Sequence, residues 1–318
     1  MFKKGNPSLC DNYRGIALMS VCAKLYNSIL FYRVRDVLDP LLKSTQNGFR
    51  SLRSTAQHVL AWRRIYEETI STKNAKLISV FIDFRKAFDS VNWNFIENIL
   101  YSYDVPAEII KAIMSLYYGA KAAVKVDGSI SEYFELGIGV LQGDTLAPFL
   151  FIIVLDWVLR NAIPDDSLGV LIQPSRGTRS RPIPPKHISN LAFADDICLI
   201  STDPKNMQTM LSAVEEWALK IGLKINLSKT VFLLSGDWTN FNSKKSVKLR
   251  VKLKLKSGNL LKEVQDFKYL GTWLMNSVND FKVRKAAAWT AIRGLNRIWR
   301  SKLLDDKTEF NLFQSPES

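Results

Sequence analysis

Hydrophobic and polar positions change period several times along this chain, and the changes mark its elements. Ile16, Met19, Cys22, Leu25, Ile29 and Val37 recur at helical spacing, which predicts one helix face and a stop at Pro40. Thr55 to Ile70 carries the same period and predicts a second helix. After the polar stretch STKNAK, the run Leu77-Ile78-Ser79-Val80-Phe81-Ile82 is short and mostly apolar, as in a buried strand, and it leads straight into Asp83. Helices are predicted over 91–103, 106–118 and 145–162, and strands over 121–127 and 130–137. Five of the eleven prolines fall within 163–187, which predicts a loop around a short strand at 168–173.

Ile188 to Ala194 and Ile197 to Ser201 are apolar runs separated only by Asp195-Asp196, the spacing of a hairpin with a two-residue turn. Such turns favour Asn-Gly or Asp-Gly, because the central residues take positive φ, so the Asp-Asp pair points to a selection other than folding. A helix over 204–221 and a strand over 230–234 follow. Residues 247–256 alternate strictly, with Val247, Leu249, Val251, Leu253 and Leu255 on one side and Lys248, Arg250, Lys252, Lys254 and Lys256 on the other. This predicts a strand with a comb of cations on its outer face, equally suited to a solvated edge and to phosphate contact. A basic helix over 279–303, carrying Trp289 and Trp299, closes the pattern. There is no internal repeat and no low-complexity tract.

Composition narrows the class. With 318 residues, 47% hydrophobic and 23% charged, the chain reads as a globular protein with about two domains or lobes and not as a disordered or collagen-like polymer. Cys10, Cys22 and Cys198 form no CxxC or Cys/His pattern, so no disulfide framework or zinc site is indicated. No signal peptide and no apolar run near about 18 residues is evident. A soluble, intracellular protein of the nucleus or cytoplasm, without a membrane partner, is expected. The formal charge of +14 is uneven: residues 1–75 carry 12 Lys/Arg against 5 Asp/Glu, residues 76–240 carry 15 against 18, and residues 241–318 carry 17 against 7. Basic arms around an acidic middle suit a protein that grips polyanions and keeps carboxylates at a central site; a solvated basic surface with no partner is the alternative.

If the strands before Asp83 and around Asp195-Asp196 share one sheet, three carboxylates converge. Their repulsion raises their pKa values unless a cation of high charge density neutralises them. Hard oxygen ligands of this kind suit Mg²⁺, and a pair of such ions activates an attacking hydroxyl and stabilises a leaving pyrophosphate. Separately, each aspartate would simply sit in a turn.

The blocks YRGIALMSVCAKLYNSIL, QNGFRSLRSTAQ, FIDFRKAFDSVNW, GVLQGDTLAP, LAFADDICLIS, GLKINLSKT and FKYLG, in this order over about residues 11–303, resemble the successive motifs of reverse transcriptases from non-LTR (LINE-like) retrotransposons. The resemblance implies an α+β right-hand polymerase fold. Residues 1–75 would form an N-terminally truncated fingers region, and residues 76–240 a palm of antiparallel strands backed by helices, with 91–137 as an insertion. Residues 241–318 would end the palm and begin a helical thumb. The function implied is RNA-directed DNA polymerisation with two Mg²⁺ ions, or Mn²⁺ in their place, on an RNA template, a DNA primer and dNTPs.

The same resemblance implies roles residue by residue. Asp83 and Asp195 would be the principal metal ligands and Asp196 the third carboxylate. Phe88 would be an aromatic gate against the ribose 2′-OH, with a core aromatic as the alternative. Gln142 and Gly143 would contact the incoming nucleotide and template. Arg14, helped by Lys3 or Lys4, would hold the triphosphate. Lys229 would donate a proton to pyrophosphate, and Arg50 would contact the template backbone. Phe267 to Gly271, including Tyr269 and Leu270, would hold the primer end. Phe193 stands where many relatives have tyrosine, and Ala147-Pro148 where Ser-Pro is frequent; both departures leave the metal-binding groups intact. Family members usually extend into an endonuclease domain and a complete thumb, so a fragment with an intact catalytic core is expected, unable to complete retrotransposition alone. Two alternatives stand beside this reading: a catalytically inactive nucleic-acid-binding remnant, and a related right-hand enzyme such as an intron maturase or RNA-copying polymerase.

Overall fold

The apolar run before Asp83 is strand β1 (Lys76–Ile82), buried at every position after Lys76. It lies at the centre of a five-stranded sheet. Strands β2 (Asn190–Phe193) and β3 (Asp196–Ser201) form an antiparallel hairpin, and β3 pairs antiparallel with β1. On the other edge of β1 runs β4 (Val231–Gly236), also antiparallel, and β5 (Lys262–Val264) lies parallel to β4. The order is β2-β3-β1-β4-β5. The computed structural model describes residues 2, 5–13, 15–71, 75–126, 128–141, 143–173, 176–178, 181–240, 247–248 and 251–294. Their backbone contacts divide into two units, Met1–Gln265 and Asp266–Ser318, so residues 1–75 and 76–240 share one unit.

Helices cover both faces of the sheet because β1 is apolar on both. Ile78, Val80 and Ile82 enter the main core. The opposite face meets helix α2 (Thr55–Ile70), where the Trp62 indole N–H donates to Ser79 Oγ at 3.2 Å and its rings lie 6.4 Å from Phe81. Ser54 and Gln57 start α2 with a reciprocal capping box. The short helix α3 (Ala87–Ser90), then α4 (Trp93–Ser102) and α5 (Ala107–Met114), lead to α6 (Ala147–Ala162), whose residues Phe149 to Asp156 are all buried. A helix apolar on every side belongs inside a core, and α6 occupies that position beneath α7 (Pro204–Lys220).

Several expectations are corrected. The first helix, α1, spans Val21–Leu38, starting at the Ser20 cap, so Ile16 and Met19 precede it. It buries Asn27, Leu30, Val34 and Leu38, whereas Leu25, Ile29 and Val37 of the expected face are exposed. Apolar residues stand on two sides of α1, and periodicity alone does not choose between them. The proline-rich stretch holds two small hairpins, Val170–Gln173 with Lys186–Ile188 and Arg176–Thr178 with Arg181–Ile183. The expected strands at 121–137 are reduced to two-residue pairs.

The predicted strand 247–256 is not one continuous strand: Val247–Lys248 pairs with Thr239–Asn240, and Leu253 to Leu255 bond back to Asn259 to Leu261. Val251, Leu253 and Leu255 are buried, while Lys252, Lys254 and Lys256 are exposed. On the other edge of this segment, side chains of α7 take the place of a strand: Gln208 bonds both the N–H and the carbonyl of Lys254 (2.9 and 2.7 Å), and Glu215 accepts the Lys256 N–H at 2.6 Å. The Lys256 ammonium pairs with Glu216 at 2.5 Å. Arg250 and Trp299 lie outside the described residues.

In the second unit, Lys268–Tyr269 and Thr272–Trp273 form a hairpin whose turn residues Leu270 and Gly271 have φ of 47° and 80°. Helix α8 (Ser277–Gly294) holds it, through Arg284 donating to the Gly271 carbonyl at 3.2 Å and to Thr272 Oγ1 at 2.7 Å.

One buried polar cluster ties α4, α6 and the loop after α1 together. Asp156, 1% exposed, accepts from the Lys43 N–H (2.7 Å), the Tyr103 hydroxyl (2.7 Å) and the Arg160 guanidinium (2.5 Å). Burial, and then the Asp156 charge, push the Tyr103 phenol well above its ordinary pKa. Asp156→Ala takes the acceptor from the Lys43 N–H and the Tyr103 hydroxyl and is expected to cost about 3 kcal/mol, read as a lower urea midpoint at unchanged slope.

Candidate active site

Register brings the carboxylates together. Antiparallel pairing of β1 with β3 sets Ile82 opposite Ile197, so the next position sets Asp83 opposite Asp196. By strand alternation, Asp83 shares a face with Ser79 and Phe81, and Asp196 with Cys198 and Ile200. The hairpin closes with Phe193 opposite Asp196, which corrects the expected turn: its central residues are Ala194 and Asp195, and Asp196 is the first residue of β3. Ala194 has φ 55°. A positive φ is costly for any residue with a Cβ and persists only where neighbours enforce it.

Gln46 provides that enforcement. Its side chain is 1% exposed; Oε1 accepts from the N–H groups of Ala194 (3.0 Å) and Gly48 (2.8 Å), and Nε2 approaches the Ala194 carbonyl at 3.4 Å. The Asn47 N–H donates to the Ala192 carbonyl, and the Ala192 N–H to the Thr45 carbonyl, so this loop runs as a short parallel partner of β2. A Cβ on Gly48 would collide with the Ala194 backbone, which makes glycine a packing requirement there. Below the turn, His58 is fully buried, contacts Asn47 Nδ2 at 2.8 Å through Nδ1, and meets the Phe193 ring edge-on at 5.7 Å.

The loop before β4 completes the surroundings of Asp83. The Asn226 N–H donates to the Asp83 carbonyl (2.8 Å), its amide Nδ2 to Asp83 Oδ2 (3.0 Å), and Lys229 Nζ lies 3.4 Å from Oδ1. The Asp83 N–H points to Thr230 Oγ1 at 3.3 Å. Burial, and then the negative fields of Asp195 and Asp83, push Asp196 up to about 6, with Lys229 acting in the opposite sense. Asp196 therefore feels both of the other carboxylates. Among the described residues no three acidic, histidine or cysteine side chains are gathered into a ready coordination shell; Asp83 is turned toward Asn226 and Lys229. The donor set nonetheless fits a hard divalent cation, being all carboxylate oxygen with mutual repulsion that such an ion would relieve.

Compared with known families, residues 2–274 match the one described as reverse transcriptase (RNA-dependent DNA polymerase). The chain belongs to the reverse transcriptase family. Among curated proteins, this reverse transcriptase domain is 28% identical to a putative 115 kDa protein in the type-1 retrotransposable element R1DM of Drosophila melanogaster, covering 70% of this chain and 20% of that protein. It is 27% identical to the Pol polyprotein from type-1 retrotransposable element R2 of Nasonia vitripennis, over 86% of this chain and 25% of that protein. The RNA-directed DNA polymerase from mobile element jockey of Drosophila funebris is 26% identical over 84% and 27% of the two chains. The chain thus spans about a fifth to a quarter of these curated relatives. A solved apo telomerase from Candida tropicalis aligns over 69% of this chain and 42% of its own, at 16% identity and a TM-score of 0.48.

The other expected site residues of the reverse transcriptase domain are variously placed. Arg14 and Gln142, with Lys3 and Lys4, lie outside the described residues. Gly143 is exposed with φ 114°, and a Cβ there would stand 2.6 Å from the Ala17 carbonyl oxygen, so glycine lets this loop lie against the segment before α1. Phe88 is half-buried, stacked on Phe151 at 4.5 Å and edge-on to Phe49 at 6.2 Å. Arg50 directs its guanidinium inward: it pairs with Asp39 at 2.8 Å and donates to the carbonyls of Asp39, Lys43 and Gln46. Every one of its N–H groups is used within the protein, so it braces the loop that carries Gln46. Phe267 to Gly271 belong to the second unit, with Tyr269 buried.

Sequence reading passed over Gln46, Asn47, Gly48 and Asn226 as site residues, although all four stand in the QNGFR and GLKINLSKT blocks. The available signal was a polar pair and a glycine between hydrophobic segments, which also reads as an ordinary loop.

The buried His58 makes a measurable contribution to pH dependence. Burial lowers its pKa from 6.5 to about 4. The unfolded chain therefore binds the extra proton first, and stability present above pH 6.5 is lost as pH falls toward 4, by about 3 kcal/mol in full. Asp196, raised to about 6, acts in the opposite sense over nearly the same range. The expected result is a difference: His58→Gln loses less stability between pH 7 and 4 than the unaltered chain, measured by urea unfolding at each pH.

Proposed function

We propose that this reverse transcriptase domain is an RNA-directed DNA polymerase that transfers dNMP from a dNTP to the 3′-OH of a DNA primer on an RNA template. What supports this is the register that sets Asp83 opposite Asp196, next to the turn residue Asp195, at one end of the central sheet. The five-stranded sheet would be the palm, residues 1–75 the fingers, and residues 241–318 the end of the palm and the start of a thumb.

Asp83, Asp195 and Asp196 would hold two Mg²⁺ ions, or Mn²⁺; such a pair when bound lowers the pKa of the attacking hydroxyl and neutralises charge on the leaving oxygen. The primer 3′-OH would lose its proton to solvent as its oxygen bonds to the α-phosphorus, the bond from that phosphorus to the oxygen bridging to the β-phosphate would break, and pyrophosphate would depart. Lys229 would give that leaving group a proton, a role its cation 3.4 Å from Asp83 supports. Asn226 orients Asp83 through its amide, and Gln46 fixes the turn that carries Asp195. Phe88, wedged between Phe49 and Phe151, would present a fixed ring to the ribose.

Primer extension on an RNA template with Mg²⁺ tests the reading. Asp195→Ala is expected to lower incorporation by about 10³-fold; equal incorporation by both proteins would refute it. Phe88→Ala is expected to raise the incorporation of ribonucleotides relative to deoxynucleotides by about 10- to 100-fold, measured as the ratio of kcat/KM values.

A further inference from the structure

The loop that leads into α6 is tied to three remote parts of the chain. At its start, the Val140 N–H donates to the Phe88 carbonyl at 2.7 Å and the Gly139 N–H to the Val91 carbonyl at 2.8 Å. Further on, Gly143 lies against the Ala17 carbonyl. At its end, Asp144 is buried, and its Oδ1 accepts from the Asn27 amide of α1 at 2.7 Å and from the Leu146 N–H at 3.2 Å. One residue along each segment, the hydroxyls of Ser28 and Thr145 lie 3.3 Å apart.

Packing does not account for Asn27. It stands on the buried side of α1 with Leu30, Val34 and Leu38, and is 1% exposed. Its Oδ1 has no hydrogen-bond partner among the described residues, and its Nδ2 has only Asp144 and, at 3.9 Å, the Met19 sulfur. An unpaired carbonyl oxygen and a carboxylate taken out of water both weigh against folding. Apolar side chains of the same volume commonly serve a core as well as such a pair, or better. What they lack is direction. The charge-assisted bond between Asn27 and Asp144 admits one arrangement of loop against helix, where apolar contact admits several. That arrangement matters at both ends of the loop. Gln142 and Gly143, expected to meet the incoming nucleotide, stand directly before Asp144, and Val140 is bonded to the backbone of Phe88, the expected gate against the ribose.

We propose that Asn27 and Asp144 are positioning residues, whose bond latches the nucleotide-contacting loop to α1 and so sets the affinity for the incoming dNTP. The latch rests on the contacts above; its effect on the nucleotide rests on the polymerase reading.

Hydrogen exchange, urea unfolding and primer extension are measured on the full chain, on Asn27→Leu/Asp144→Leu, and on the swapped pair Asn27→Asp/Asp144→Asn. The swapped pair keeps a bond between the two positions and an acceptor for the Leu146 N–H. In the leucine pair the Gly139 and Val140 amides, whose own acceptors are untouched, are expected to exchange about 10-fold faster, with the urea midpoint unchanged or higher. The KM for dNTP is expected to rise about 10-fold with kcat within about 2-fold, and the swapped pair to bring KM back to within about 3-fold of the unaltered chain. Unchanged exchange at Gly139 and Val140 overturns the latch. A lower urea midpoint with kcat and KM both impaired, unrescued by the swapped pair, overturns the positioning role and leaves one in packing. Faster exchange with an unchanged KM overturns the effect on the nucleotide. Faster exchange in a chain that extends no primer supports the latch and removes the polymerase reading instead. Asn27→Ser, which deletes the amide and adds no bulk, is put to the same measurements, so that a leucine pair that does not fold leaves the outcome decidable.

Discussion

Antiparallel pairing of β1 with both of its neighbours determines which side chains can meet at one end of the sheet. The β3 register puts Asp196 across from Asp83, and the approach to β4 puts Asn226 and Lys229 beside the same carboxylate. A slip of one residue in either pairing would turn every side chain of the moved strand to the other face. Ile197 and Leu199 would then leave the main core, which also contains Ile78, Val80 and Ile82, so burial of apolar surface holds the register that the acidic site needs. The core thus sets the position of groups that are themselves unfavourable to bring together.

Around the acids, charge is sorted by element. The carboxylates stand at the strand ends and in the hairpin turn. The cations nearest to them stand on the segments just after β1 and just before β4, where backbone bonds hold Arg85 against Lys224. Polar side chains without charge do the fixing: Gln46 at the hairpin turn and Asn226 at Asp83. Neutral amides suit this task, since they donate and accept at once and add no field to a site already crowded with charge.

Much of this organisation is legible in the sequence, and the parts that are not have physical reasons. A continuous apolar run gives β1, because a strand covered on both faces has no polar side to confuse the period. The capping residues at Ser54 and Gln57 give α2. The buried side of α1 is not legible, since Leu25 and Ile29 compete with Leu30 and Val34 and only the surrounding chain selects. The alternation at 251–256 correctly marks which residues are buried, yet it does not say that the segment turns back on 259–261 and that α7 side chains satisfy the outward backbone groups of Lys254 and Lys256. Asp83, Asp195 and Asp196 stand out as acids adjoining apolar runs. Gln46 does not stand out, because its partner Ala194 lies far along the chain and the need for a clamp arises only from the backbone angle there.

That clamp means that the acidic hairpin is not a portable unit. Excised and transplanted into another sheet, residues 190–201 would keep their sequence but lose the outside support that holds Ala194 in its left-handed conformation. The turn would relax toward an ordinary backbone, and Asp195 would point elsewhere. Any graft of this chemistry would have to carry residues 45–48 with it, as a second piece of chain from a remote position, docked in parallel along the hairpin's outer edge.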